Sequence, residues 1–111
     1  MEQVPLRIVT IIVQRKAMQK VVDACTNAGA GGVTFFYGQG TGVRQKLGFL
    51  GNFIDAEKGI VQVVGDAETA KKVMAAAVAA ANLDKPGNGF AYVQEVLDAV
   101  GFVSAPAAPK A

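Results

Sequence analysis

The stretch LDKPGNGFAYV at residues 83–93 places a lysine, a proline and two glycines between a helix-like segment and a strand-like segment. Glycines let backbone amides approach and converge on an anion, and Lys85 adds a point charge suited to phosphate. A plain helix-to-strand turn uses the same residue types, and such turns are common. The segment can therefore be interpreted as a phosphate-binding loop or as a plain turn. Both interpretations stay open, and local chemistry alone favours the turn.

Missing residue types narrow the chemistry further. The chain has no histidine, and Ser104 is its only serine, so Ser/His/Asp and Cys/His nucleophilic systems are excluded. The single cysteine, Cys25, cannot supply a tetrahedral zinc set and is predicted to be a core residue. Catalysis would have to use Asp, Glu or Lys, and most acidic residues fall at predicted helix starts or in loops. The sequence therefore favours a binding or signalling protein over an enzyme, with no metal site.

Composition limits the partners. The 111 residues fit one domain, and 51% of them are apolar while only 18% are charged, which suggests self-association. A dispersed net charge of +2 argues against nucleic acid. The longest apolar run is far shorter than the ~20 residues that span a bilayer, and the first apolar run precedes its positive charges, unlike a signal peptide. We expect a cytoplasmic protein without direct membrane insertion.

The elements that would position the 83–93 stretch follow from hydrophobic periodicity. Strands are predicted at 6–13, 33–37, 59–64 and 90–93, the last extending up to residue 96. Two helices are predicted, one from Met18 to near Gly29 and one opened by Asp66 that ends before Pro86. A short element is predicted around 97–103.

This order predicts an α+β, ferredoxin-like βαββαβ fold over residues 1–103, with an antiparallel sheet and two helices on one face. Residues 39–58 form a long loop, and the Pro-rich tail 104–111 is predicted to be disordered. The first and third strands are apolar on both sides, so the second face of the sheet is predicted to be covered by another subunit.

Two segments resemble the PII signalling family. KPGNG at 85–89 resembles the nucleotide-binding B-loop of that family, and Gly40-Thr41-Gly42 followed by Arg44-Gln45-Lys46 resembles the base of its T-loop. The resemblance extends over residues 6–96 and includes Thr34 and the order of elements. No single motif is highly specific, but their order and spacing together are.

The resemblance implies a homotrimer that binds an adenine nucleotide (ADP, AMP or ATP) in each cleft between subunits. The loop at 39–58 would be a mobile T-loop that regulates a membrane transporter or a metabolic enzyme, in inorganic-carbon or nitrogen metabolism. Carried over onto this sequence, the nucleotide-binding residues would be Lys85, Pro86, Gly87, Asn88 and Gly89 around the phosphates, Val63 and Val64 along the adenine, and Thr34, Gly40, Thr41, Gly42, Arg44 and Gln45 from the partner side of the cleft.

The chain also departs from the family pattern. Standard members have a lysine where this chain has Phe90, and two arginines where it has residues 100–103, so three cationic phosphate partners are absent. Each charge-assisted hydrogen bond is worth about 1.5–3 kcal/mol, so ATP affinity should be reduced and ADP, AMP or a cyclic nucleotide becomes a candidate effector. Bicarbonate is a further candidate ligand. The resemblance is to divergent members associated with bicarbonate transport, carboxysomes or other membrane transporters.

The loop has its own signals. Residues 43–58 contain no Tyr, Ser or Thr, so covalent modification of the loop has no acceptor there. Phe49 and Phe53 are the predicted anchors for a partner protein, although they could equally well pack against the trimer body.

Two alternatives to a nucleotide-binding regulator remain. One is a structural shell subunit without nucleotide binding, and the other is a weak nucleotide hydrolase using Asp84 or Lys85.

Overall fold

A computed structural model describes residues 5–40 and 57–103 of the chain. In this part of the chain the strands are β1 (Leu6–Gln14), β2 (Thr34–Gln39), β3 (Glu57–Gly65) and β4 (Gly89–Val96). The helices are α1 (Met18–Asn27), preceded by a short 3₁₀ turn at Arg15–Ala17, and α2 (Ala67–Ala81). The observed order is the predicted βαββαβ.

The strands form one sheet in the order β2-β3-β1-β4, and every neighbouring pair is antiparallel. Directly paired residues of antiparallel strands project to the same face. One row across the whole sheet is therefore Thr34, Gln62, Thr10 and Tyr92. The fold is the predicted ferredoxin-like α+β arrangement.

One face of the sheet carries both helices and holds the hydrophobic core. The helices contribute small or β-branched residues at helical spacing, so they approach the sheet closely. The side chains of this core that are at most 1% exposed are Val9, Ile11, Val13, Val21, Cys25, Val61, Val63, Val73 and Ala77.

The ends of α2 are fixed by local hydrogen bonds. The Asp66 carboxylate caps the helix by accepting from the Thr69 amide at 2.8 Å, which holds the Asp66 pKa below its usual value. Asn82 ends the helix in the left-handed conformation, with φ of 52°. These two caps direct the chain from β3 into α2 and from α2 into the 83–93 stretch.

The other face of the sheet, which we call the open face, carries no helix. It presents an apolar row of Phe36, Ile60, Ile12 and Phe90, one residue from each strand. Phe36 is 46% exposed and Phe90 is 60% exposed. The predicted apolar second face is thus present in the chain, and the subunit proposed to cover it stays a prediction.

Some predicted boundaries were wrong. β2 continues to Gln39 and β3 begins at Glu57, because these two residues pair with each other, so the predicted loop at 39–58 is narrower than expected. Residues 97–103 form no regular helix or strand. The tail 104–111 lies outside the described residues.

Candidate functional site

The KPGNG segment forms a tight turn between α2 and β4. The Asn88 amide donates to the Lys85 carbonyl at 3.3 Å, Pro86 occupies the second position and Gly87 has φ of 86°. These are the features of a type II turn, which requires glycine or asparagine at its third position. The turn is held to the end of α2, because the Asn82 carbonyl accepts from the Lys85 amide at 3.0 Å and from the Asn88 side chain at 3.1 Å.

Gly89 follows the turn and begins β4. Its φ is 152°, and an added Cβ would lie 2.6 Å from the Ile12 carbonyl oxygen. No side chain fits at that distance without moving the backbone. The turn therefore requires Gly87, and the close approach of β1 requires Gly89, whatever this segment binds.

Polar groups of β1 and β3 approach this turn from the sheet. The Gln14 side-chain amide donates to the Gly87 carbonyl at 3.4 Å, and Lys58 donates to the Gln14 side-chain carbonyl at 3.4 Å. Lys58 is therefore linked through Gln14 to the Gly87 carbonyl of the turn. We call this region the turn end of the sheet.

A cavity of about 730 Å³ lies at the opposite end of the sheet, which we call the cavity end. Thr34, Gln62 and Val64 line it from the open face, and Lys72 lines it from the first turns of α2. The remaining lining residues come from β1, the α1–β2 connection, the start of α2 and the last described residues: Leu6, Ile8, Ala28, Gly29, Ala30, Gly31, Gly32, Gly65, Asp66, Thr69, Gly101, Phe102 and Val103.

The cavity combines an apolar wall with a few polar groups, which is typical of small-ligand sites. Gln62 offers an amide, Thr34 offers a hydroxyl, and Lys72 is close enough to Asp66 to help lower the Asp66 pKa. Such a set offers hydrogen-bond donors and acceptors that suit a polar ring or a sugar. Within residues 5–40 and 57–103, no group of three or more His, Cys, Asp or Glu side chains could hold a metal ion.

The turn end and the cavity end are far apart in one chain. Thr34 and Tyr92 share a row at opposite edges of the sheet, and Gly89 lies three residues from Tyr92 along β4. Three strand spacings of about 4.8 Å and three residues of about 3.3 Å separate Thr34 from Gly89 by roughly 17 Å. One chain therefore holds two half-sites rather than one continuous site.

The family model for nitrogen regulatory protein P-II matches residues 6–103. The chain belongs to the P-II family. The structure is also similar to a PII-like signaling protein from Thermus thermophilus, with a TM-score of 0.63 and 23% sequence identity over 86% of this chain and 91% of that one. No curated protein was found to match the chain. P-II proteins are signalling regulators.

Apart from Val63, the predicted P-II site residues and partner anchors fall into three groups. Lys85, Pro86, Gly87, Asn88 and Gly89 form the turn end with Gly40, which follows β2 at the same end of the sheet. Thr34 and Val64 line the cavity. Thr41, Gly42, Arg44 and Gln45, and the predicted partner anchors Phe49 and Phe53, lie outside the described residues.

Val63 was assigned to the adenine site together with Val64, and the structure corrects its side chain. Successive strand residues point to opposite faces, so only one of the two valines can reach the open face. The Val63 side chain is 1% exposed and lies in the core beneath the helices. Of this pair, only Val64 lines the cavity.

Sequence reasoning assigned only Thr34 and Val64 of the cavity lining to the site and missed the rest, including Gln62, Lys72 and Phe102. Gln62 carried a usable signal, because it is the single polar residue within the apolar run GIVQVV. Lys72 and Phe102 carried no such signal, because their positions depend on how α2 and the segment after β4 meet the end of the sheet.

None of the helices in the described ranges combines the length and apolar character needed to cross a membrane.

Proposed function

We propose that this P-II chain is a regulator that binds an adenine nucleotide between two copies of itself. In this proposal the cavity of one copy takes the base and ribose, and the turn end of the neighbouring copy takes the phosphates. The nucleotide then alters the segment at 41–56, which contacts a membrane transporter or a metabolic enzyme in the cytoplasm. A homotrimer is the assembly that the family leads us to expect.

The separation of the two half-sites is the observation that carries this proposal. Roughly 17 Å lies between Thr34 and Gly89 within one chain, so a second copy is needed to bring a phosphate-suited turn beside a base-suited cavity. The open face supports the same assembly, because its apolar row leaves Phe36 and Phe90 about half exposed. Exposed apolar patches of this kind usually mark an interface.

The first test measures binding and mass together. Isothermal titration with ATP, ADP, AMP and cyclic AMP, with and without magnesium and bicarbonate, should give saturable binding near one site per chain. With Phe90 where standard members have lysine, we expect ADP or AMP to bind at least as well as ATP. Light scattering on the same sample should give a trimer mass. Large assemblies without nucleotide binding would support the structural-subunit alternative instead.

A complementation experiment tests whether the site is shared. Gly87→Ala damages the turn end, because its φ of 86° disfavours any residue with a side chain. Gln62→Leu damages the cavity end while keeping a similar volume. Each variant alone should lose binding but keep its mass. Co-expression of the two should restore binding at a minority of sites, because a mixed assembly places an intact turn beside an intact cavity at some interfaces.

A site within one chain gives a different result, since neither chain then carries both intact halves and mixing restores nothing. Gln19→Leu is the matched control. Gln19 is an exposed glutamine on α1, on the helix side of the sheet and outside the cavity lining. It should leave nucleotide affinity unchanged.

A further inference from the structure

Gln14 occupies an unusual position at the end of β1. Its side chain contacts the turn end through the Gly87 carbonyl and the start of β3 through the Lys58 ammonium group, each at 3.4 Å. Gly87 and Gln14 are 73 positions apart in the sequence, and Lys58 and Gln14 are 44 apart. One side chain thus joins two distant parts of the chain.

The orientation of the Gln14 amide is determined by its two partners. A carbonyl oxygen can only accept and an ammonium group can only donate, so the amide nitrogen must face Gly87 and the amide oxygen must face Lys58. A rotated amide would lose both contacts at once. The two contacts therefore form one directional relay, which we name the Gln14 relay: Lys58 to Gln14 to Gly87.

The two hydrogen bonds of the relay are weak enough to form and break readily. Both distances exceed the usual value of about 2.9–3.0 Å, and both contacts are only partly buried, so either can shorten or break at low cost. The neighbouring residue behaves differently. The Arg15 guanidinium lies 2.9 Å from the Glu57 carboxylate and 5.7 Å from the centre of the Tyr37 ring, and so contacts both β2 and β3. At this end of the sheet Arg15 therefore makes the shorter contact with its hydrogen-bonding partner, and Gln14 makes two longer ones.

We propose that Gln14 is a positioning residue that couples the 85–89 turn to the start of β3. The role of this coupling rests on the proposed function: phosphates that accept hydrogen bonds from the amides of the turn shift the Gly87 peptide, and the Gln14 side chain passes that shift on to Lys58. Lys58 is the second residue after the 41–56 segment. Because coupling between two sites is reciprocal, a partner that contacts the start of β3 also alters the turn.

The coupling can be tested without any nucleotide, by amide hydrogen exchange at Asn88. This amide closes the turn on the Lys85 carbonyl, so its exchange rate reports how firmly the turn is held. Lys58→Met should raise the Asn88 rate about two- to fivefold, the size expected for loss of one weak hydrogen bond. Lys58→Arg, which keeps a donor, should restore it.

A double-mutant cycle separates the relay from a general loss of structure. In a Gln14→Met background, Lys58→Met should add nothing, because the contact through which it acts is gone. Gln14→Glu should release the turn but still hold Lys58, since a carboxylate accepts from the ammonium group and cannot donate to Gly87. Lys71→Met, at an exposed position of α2, is the matched control for Lys58→Met and should leave the Asn88 rate unchanged.

An unchanged Asn88 rate in Lys58→Met overturns the relay, and so does an equal increase in both backgrounds. A parallel ADP titration decides the proposed function separately. If the unmodified protein binds no ADP, the nucleotide proposal is wrong while the cycle still decides the relay. If ADP binds, it should change amide exchange at residues 57–60 in the unmodified protein and no longer do so in Gln14→Met.

Discussion

The two faces of the sheet are built from similar residues but end in different environments. Ile11 points to the helix side and is 0% exposed, whereas its neighbour Ile12 points to the open face and is only partly buried. The same holds for Val61 and Ile60 on β3. The alternation of a strand decides which way a side chain points, but its burial depends on what covers that face. Strands that are apolar on both sides need a packing partner on each face. Within one chain the two helices pack on one face only.

Neighbouring isoleucines give the largest test of this difference. Ile11→Ala should lower the free energy of unfolding by about 2–5 kcal/mol, because it leaves a cavity in a closed core. Ile12→Ala should cost the isolated chain less, because its side chain already contacts solvent. It should instead weaken self-association. Urea denaturation measures the first effect, and light scattering over a dilution series measures the second.

Equal losses of stability at both positions, with no change in mass, would contradict the interpretation of the open face as an interface. The denaturation must be repeated at several protein concentrations, since association stabilises the folded state by mass action.

Glycine-to-alanine substitutions, one on each face of the sheet, give a second test of this difference with a smaller expected effect. An alanine Cβ at Gly59 would lie 2.6 Å from the Cβ of Met18, at the start of α1, so the helix itself must move. At Gly38 the new Cβ would lie 2.7 Å from the Cδ1 of Ile60, the far end of a flexible side chain on the open face. We expect Gly59→Ala to cost about 1–3 kcal/mol and Gly38→Ala less than about 1 kcal/mol, as measured by urea midpoints.

A similar cost at both glycines would mean that Ile60 cannot turn away. The open face would then already be packed in the state being measured, which is the result expected if another copy covers it under those conditions. Comparing the two variants above and below the concentration at which the mass changes separates these cases.

The sequence was sufficient for the parts of the fold that depend on local pattern. The strand run at 6–13, the apolar stripe of α1 and the Asp66 cap each depend on neighbours in sequence, and each was found close to its predicted place. Boundaries that depend on pairing were missed: Gln39 and Glu57 extend β2 and β3 because they face each other. The cavity end was also missed, because it needs β3, α2 and the segment after β4 to meet.

The pH dependence of stability tests how completely the core on the helix side excludes water, because the Cys25 thiol is buried there. Burial raises the Cys25 pKa from 9.0 to about 11. The unfolded chain therefore ionises first, so the stability contribution is complete below about pH 9 and is lost as the pH rises from about 9 to 11. Urea midpoints at pH 8, 9 and 10 should fall, and Cys25→Ala should reduce that fall. An identical pH dependence in both proteins would contradict the prediction.

Thr10 gives the smallest and most discriminating test. It is 3% exposed, although it lies on the open face, and its hydroxyl accepts from the Gln62 side-chain amide at 3.4 Å. Thr10→Val keeps the shape and removes the one side-chain hydrogen bond that Thr10 makes within residues 5–40 and 57–103. Because Gln62 also lines the cavity, its amide can turn to solvent, so urea denaturation should show a change of no more than about 1 kcal/mol. A loss of more than about 2 kcal/mol would mean that Gln62 is left unpaired in a closed environment. The open face would then exclude water around Thr10 and Gln62 as completely as the helix side does. The two faces would differ in solvent exposure only at their edges.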